Sequence, residues 1–139
     1  MTGNDVVREA REWVGTPFHW QASLKGVGCD CKGLVWGVAR SLGLPEAESV
    51  YAKVADYQIV EPRRLLEGMR STFRRVSDLA MGRVVVIEMG GRLQHLGIVT
   101  PQTLIHCTLR PPQQVVETPL TQAWRRRIAS VWAWPSLED

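Results

Sequence analysis

The sequence predicts an α+β domain in which helices come first and a meander of about five antiparallel strands follows. Apolar residues recur at helical spacing as far as Leu42, the period becomes that of a strand from about Arg83 onward, and glycine and proline punctuate the second half. Helices followed by strands, rather than strands alternating with helices, is the α+β order. At 139 residues and 45% hydrophobic content the chain can bury one core and is too short for two, so residues 1–139 read as a single domain.

Asn4 is placed to cap a first helix, with Val6, Val7, Ala10, Trp13 and Val14 on one stripe and Gly15-Thr16-Pro17 as its stop. Residues 18–28 follow neither period and read as a loop that delivers the chain to Cys31. From there Leu34, Val35, Val38, Ala39 and Leu42 form one stripe, ended by Gly43-Leu44-Pro45. This should be the central helix, with its N-terminus at Cys31. The stretch 46–60 is weakly patterned, after which Pro62 suits a first turn and Leu65, Leu66 and Met69 mark a short helix. Arg83 to Met89 is rich in β-formers, Gly90-Gly91 signals a hairpin, and Leu93 to Thr100 resumes as a strand. Thr103 to Leu109, Val115-Val116 and Ile128 to Trp134 supply the remaining strands, with a break at Pro111-Pro112. There are no internal repeats and no low-complexity segments.

Composition excludes several function classes. The longest aliphatic run, Val84-Val85-Val86-Ile87, is far short of the roughly 18–20 residues of a membrane span, so no membrane insertion is expected. The polar start Met1-Thr2-Gly3-Asn4-Asp5 is unlike a secretory signal, and synthesis in the cytoplasm without a signal peptide is the expectation. Cys29 and Cys31, separated by one residue, are poorly spaced for a disulfide, and with Cys107 they make an odd set that suits a reducing compartment. The net charge is +3, and the one dense basic run, Arg125-Arg126-Arg127, lacks interleaved aromatics, which argues against nucleic acid as a partner. Cys29, Cys31, Cys107, His95 and His106 do not fit zinc, whose cysteines are usually two to four residues apart. Neither a metal nor a cofactor is expected.

Cys31 combines several features of a nucleophile. At a helix start, the macrodipole and unpaired N–H groups favour a thiolate, and the same N–H groups can receive an oxyanion. Lys32 adds a neighbouring positive charge. A tight turn centred near Thr100 and Pro101 sets Leu96 opposite Ile105 and His95 opposite His106, with about 5 Å between their Cβ atoms. One histidine beside the cysteine and a second behind it is the order nucleophile, base, orienter.

These residues carry a family resemblance. Gly15-Thr16-Pro17-Phe18, Gly26-Val27-Gly28 leading into Asp30-Cys31-Lys32-Gly33-Leu34-Val35, His95-Leu96-Gly97-Ile98-Val99 and Leu104-Ile105-His106 resemble the NlpC-type cell-wall cysteine peptidases across most of the chain. The run Gly-Val-Gly-Cys-Asp-Cys and Trp124-Arg125-Arg126-Arg127 are most similar to the branch of phages and gene transfer agents. The resemblance implies a papain-like fold with the Cys31 helix packed on the sheet. It makes Cys31 the nucleophile, His95 the base and His106 its orienter, in a peptidase that cuts peptidoglycan stems next to D-glutamate through an acyl-enzyme. Asp30 would help hold the amino end of the stem, and Phe18 and His19 would line the substrate site. Its partners would be tail-tip, hub or baseplate proteins, its place the virion tail, and its target the wall in the periplasm. Two positions depart from the family: Phe18 replaces a tyrosine whose hydroxyl assists at the oxyanion, and Lys32 replaces a serine. A structural tail component of the same fold with little or no activity is the alternative.

Overall fold

The computed structural model describes residues 1–48, 62–90 and 94–138, without the side chains of residues 62–64. Most of the weakly patterned stretch 46–60 therefore lies outside the described residues, as do Gly91 and Leu93. Helix α1 (Gly3–Glu12) starts from Thr2, not from Asn4. The Thr2 side chain accepts from the Asn4 N–H, and the Asp5 carboxylate accepts from the Thr2 N–H at 2.9 Å, a reciprocal cap that Asn4 cannot form from inside the first turn. The helix stops at Glu12, so Val14 lies beyond it and is exposed.

Residues 18–28 are not wholly irregular. Strands β1 (Ser23–Leu24) and β2 (Gly28–Cys29) pair as a small antiparallel hairpin that leads directly into α2 (Cys31–Leu42). Gly43, with φ at +69°, closes α2 in the left-handed conformation that glycine adopts without strain. A 3₁₀ turn (Pro45–Glu48) follows, and α3 (Pro62–Thr72) begins at the expected proline.

Among the described residues, the second half is a sheet of six strands. These are β3 (Arg74–Val76), β4 (Val84–Glu88), β5 (Gln94–Val99), β6 (Thr103–Cys107), β7 (Val115–Pro119) and β8 (Ile128–Ala133), in the antiparallel order β3-β8-β4-β5-β6-β7. The five expected strands are present, and β3 is an addition at the edge. A short helix, α4 (Gln122–Arg127), precedes β8 where the sequence shows only a run of charge.

Alternation along the strands divides the sheet into two faces. Val84, Val86, Leu96, Ile98, Ile105 and Trp132 join Val6, Val7, Trp13, Leu34 and Val35 in the larger core, so α1 and α2 cover this face. Val85, Ile87, Val99, Leu104 and Val131 form a smaller cluster on the other face, with Leu120 and with Trp124 of α4. Helix α2, which starts at Cys31, packs on β5 and β6.

Candidate active site

The start of α2 is fixed by its cap. Asp30 is extended, and one carboxylate oxygen accepts from the Gly33 N–H at 2.8 Å while the other accepts from the Gln21 N–H at 2.7 Å. The carboxylate therefore ties the helix to the preceding loop, and it is buried. Gly33 makes that tie possible: a Cβ there would stand 1.9 Å from the Ala22 carbonyl oxygen. Ser23 closes the same contact by donating to the Gly33 carbonyl at 2.6 Å. Cys31 follows the cap as the first helical residue, 8% exposed. Lys32 is buried beside it, and burial lowers its pKa against the opposing pull of Asp30 and Cys31.

The two histidines meet. His95 Nε2 and His106 Nδ1 are 3.0 Å apart, with the rings edge to face and their centroids 5.1 Å apart. They are not direct cross-strand partners as the sequence reading expected. Ile98 pairs with Ile105 and Val99 with Leu104, a register two residues away from the expected one. Thr100 causes the shift: its N–H bonds to the Thr103 carbonyl at 3.0 Å and its hydroxyl bonds to the Thr103 hydroxyl at 2.8 Å, which leaves only Pro101 and Gln102 in the turn. A slip of two preserves the face of every side chain, so the histidines still approach, now on the diagonal.

Both rings are held neutral. Burial, reinforced by the neighbouring His106, pushes the His95 pKa down to about 3, and burial pushes His106 down to about 4. Trp124 of α4 packs edge to face on His106 with centroids 5.0 Å apart. Sequence reasoning gave Trp124 no role at the site, and no period or spacing connects it to His106.

The Cys31 helix and the histidines' strands are joined at one end of the sheet. Cys107, next to His106, donates its thiol to the carbonyl of Cys29 at 3.3 Å. The same carbonyl accepts from the His19 N–H at 2.9 Å, and the Cys29 N–H donates to Pro17 at 3.0 Å. The segment before β1 is in turn held to the start of β7: Gly15 N–H donates to Val115 and Phe18 N–H donates to Gln113. His95 is near the start of β5 and His106 near the end of β6, so these bonds bring the entry to α2 to the histidine end of the sheet.

The remaining expected residues are arranged around that junction. Phe18 is half-buried, bridges to Cys29 and meets the exposed Trp20 edge to face at 4.7 Å. His19 is exposed, with Nδ1 3.2 Å from the Trp20 carbonyl oxygen. Among the described residues, no group of three or more His, Cys, Asp or Glu side chains is arranged to hold a metal ion. No described helix is long and apolar enough to cross a membrane.

By sequence, no family profile and no curated protein matches the chain. By structure, it is similar to the NlpC/p60 domain of the peptidoglycan hydrolase SagA, with a TM-score of 0.63 at 18% identity over 96% of this chain and 99% of that one. It is also similar, with a TM-score of 0.63 at 14% identity, to a protein of the NLP/P60 family from Staphylococcus aureus that is described as similar to lipoprotein. There it covers 99% of this chain and spans only 42% of the longer one. The α+β architecture, helices packed on an antiparallel sheet, is that of the papain-like NlpC/p60 domains.

Proposed function

We infer that the protein is a cysteine peptidase that hydrolyses amide bonds in the peptide stems of peptidoglycan. Cys31 is the nucleophile, His95 the general base and His106 the residue that orients it. One observation carries this assignment: the buried His95–His106 hydrogen bond lies at the end of the sheet that is tied to the entry of the Cys31 helix. The structural likeness to a peptidoglycan hydrolase domain supports the substrate class.

The chemistry follows from the hydrogen bond. For His95 to act as a base through Nδ1, its Nε2–H must donate to His106 Nδ1, which fixes the tautomer of both rings. Nδ1 then takes the Cys31 proton, and the thiolate attacks the carbonyl carbon of the stem amide. The imidazolium returns that proton to the departing amine as the C–N bond breaks. A water molecule, deprotonated by His95, then attacks the thioester carbonyl; the C–S bond breaks, and the departing Cys31 sulfur takes the proton back from His95. A strongly lowered His95 pKa means that the cation forms only within the reaction, so His95 works as a base and not as half of a standing ion pair. The oxyanion develops beside the start of α2, whose helix dipole favours negative charge. Because the histidines alternate with helix-facing Leu96, Ile98 and Ile105, the approach of thiol to imidazole that this mechanism requires is at the strand ends.

Phe18 and His19 contact the stem beside Cys31, while Asp30 acts by holding α2 and the loop in place. Delivery on a phage-like tail, through tail-tip, hub or baseplate proteins, completes the proposal and rests on the sequence resemblance alone. Phe18 in place of tyrosine favours one second reading, a structural tail part of low activity. The test is release of a new primary amine from a soluble stem peptide. Wild type releases it and Cys31→Ala does not; equal release by both, or none by wild type, overturns the assignment.

A further inference from the structure

Two buried thiols take no part in this mechanism, and they meet. Cys29 and Cys107 are both fully enclosed in the larger core, 78 residues apart in sequence. The Cys107 sulfur is 3.3 Å from the Cys29 carbonyl oxygen, and its interaction with the Cys29 thiol is the main reason, ahead of burial, that the Cys29 pKa is raised. Cys29 stands two residues before Cys31, and Cys107 one residue after His106. The segment around Cys29 is fixed from both sides, by Pro17 and His19 on one flank and Ser23 on the other.

We propose that Cys29 and Cys107 are a disulfide-forming site, reduced where the chain is made and closed by a low-molecular-weight disulfide in an oxidising compartment. In the balanced step, two protein S–H bonds and the S–S bond of the oxidant break. One protein S–S bond and two small-molecule thiols form, so that two electrons and two protons pass to the oxidant. The bridge ties the entry of the nucleophile's helix to the strand that carries His106. It is independent of the peptidase assignment, since it needs neither Cys31 nor a substrate. Closure is slow, because the thiols are buried and Cys29 is held in its protonated, unreactive form.

The experiment incubates folded wild-type protein with oxidised glutathione to equilibrium, blocks the remaining thiols with iodoacetamide, and maps the peptides. A cross-linked Cys29–Cys107 peptide, with Cys31 alkylated, is the expected result. The oxidised protein should melt higher than the reduced one by on the order of 10 °C, and dithiothreitol should reverse the gain, as expected for a bridge that closes a long loop. Cys107→Ser should show no such gain. A bridge to Cys31, glutathione adducts on Cys29 or Cys107, or three alkylated cysteines after prolonged oxidation would each overturn the proposal.

Discussion

Lowering the pH from 7 to 5 should destabilise the fold through its two buried histidines. Their pKa values are about 3 for His95 and about 4 for His106, pushed down by burial, with His106 adding to the shift of His95. In the unfolded chain each returns to about 6.5. Between these values the unfolded state binds more protons than the folded one, so stability rises with pH: it is complete above about 6.5 and is lost as the pH falls toward the folded values. From pH 7 to 5, protonation favours the unfolded chain by about 2 kcal/mol per histidine, while the folded protein takes up almost no protons. The pair contributes on the order of 4 kcal/mol, a large share of the 5–15 kcal/mol that holds a typical domain together. Glu117, whose pKa is lowered first by its hydrogen bond to Arg11, acts at lower pH, because its stabilisation is lost only as the pH falls through the carboxylate range. Urea unfolding at pH 7 and pH 5, followed by circular dichroism, measures the loss, and His95→Gln should show about half of it. A wild-type stability that is flat between these pH values would refute the neutral buried pair.

Four further substitutions address the site. His95→Ala should fall to the activity of Cys31→Ala, whereas His106→Ala should lose roughly 10- to 1000-fold in kcat and keep a measurable rate, because an orienter places the base without replacing it; equal losses would leave the two roles unseparated, and an active His95→Ala would contradict the assignment. Phe18→Tyr should raise the rate of stem cleavage, by an amount worth up to a few kcal/mol if it restores an oxyanion donor, and a loss of rate would mean that the role resides elsewhere. Gly33→Ala should cost about 3 kcal/mol or more in urea unfolding, since its Cβ would fall 1.9 Å from the Ala22 carbonyl oxygen and backbone, unlike a side chain, cannot rotate away; a cost below about 1 kcal/mol would show that the loop yields freely.

The parts of the fold that sequence revealed are those set by local chemistry. The apolar stripe Leu34, Val35, Val38, Ala39 and Leu42 after Cys31, with its stop at Gly43, places the central helix, and α2 begins at Cys31 as expected. The strands β4 to β8 carry enough β-formers between glycine and proline breaks to be located individually. The register of β5 on β6 depended on the side chain of Thr100 closing a two-residue turn, which spacing alone does not reveal. Strand β3 is three residues long with two arginines, and it exists because its backbone pairs with β8. Helix α4 buries no residue and so has no apolar stripe; the Thr121 hydroxyl, accepting from the Trp124 N–H, is its only local signal. Asp30 is expected to hold the amino end of the stem; in the structure each of its oxygens also accepts from a backbone N–H, a use that becomes visible only once Gln21 is folded back onto it.

The central claim, that Cys31 drives hydrolysis of peptidoglycan stems, is tested most directly on purified sacculi. Soluble fragments released by wild type, Cys31→Ala and buffer alone should be identified by mass spectrometry. Wild type should release stem fragments with a newly exposed amino end, cut at a single type of amide bond, and Cys31→Ala should match buffer. Stem fragments released equally by Cys31→Ala, or none released by folded wild type, would contradict the account.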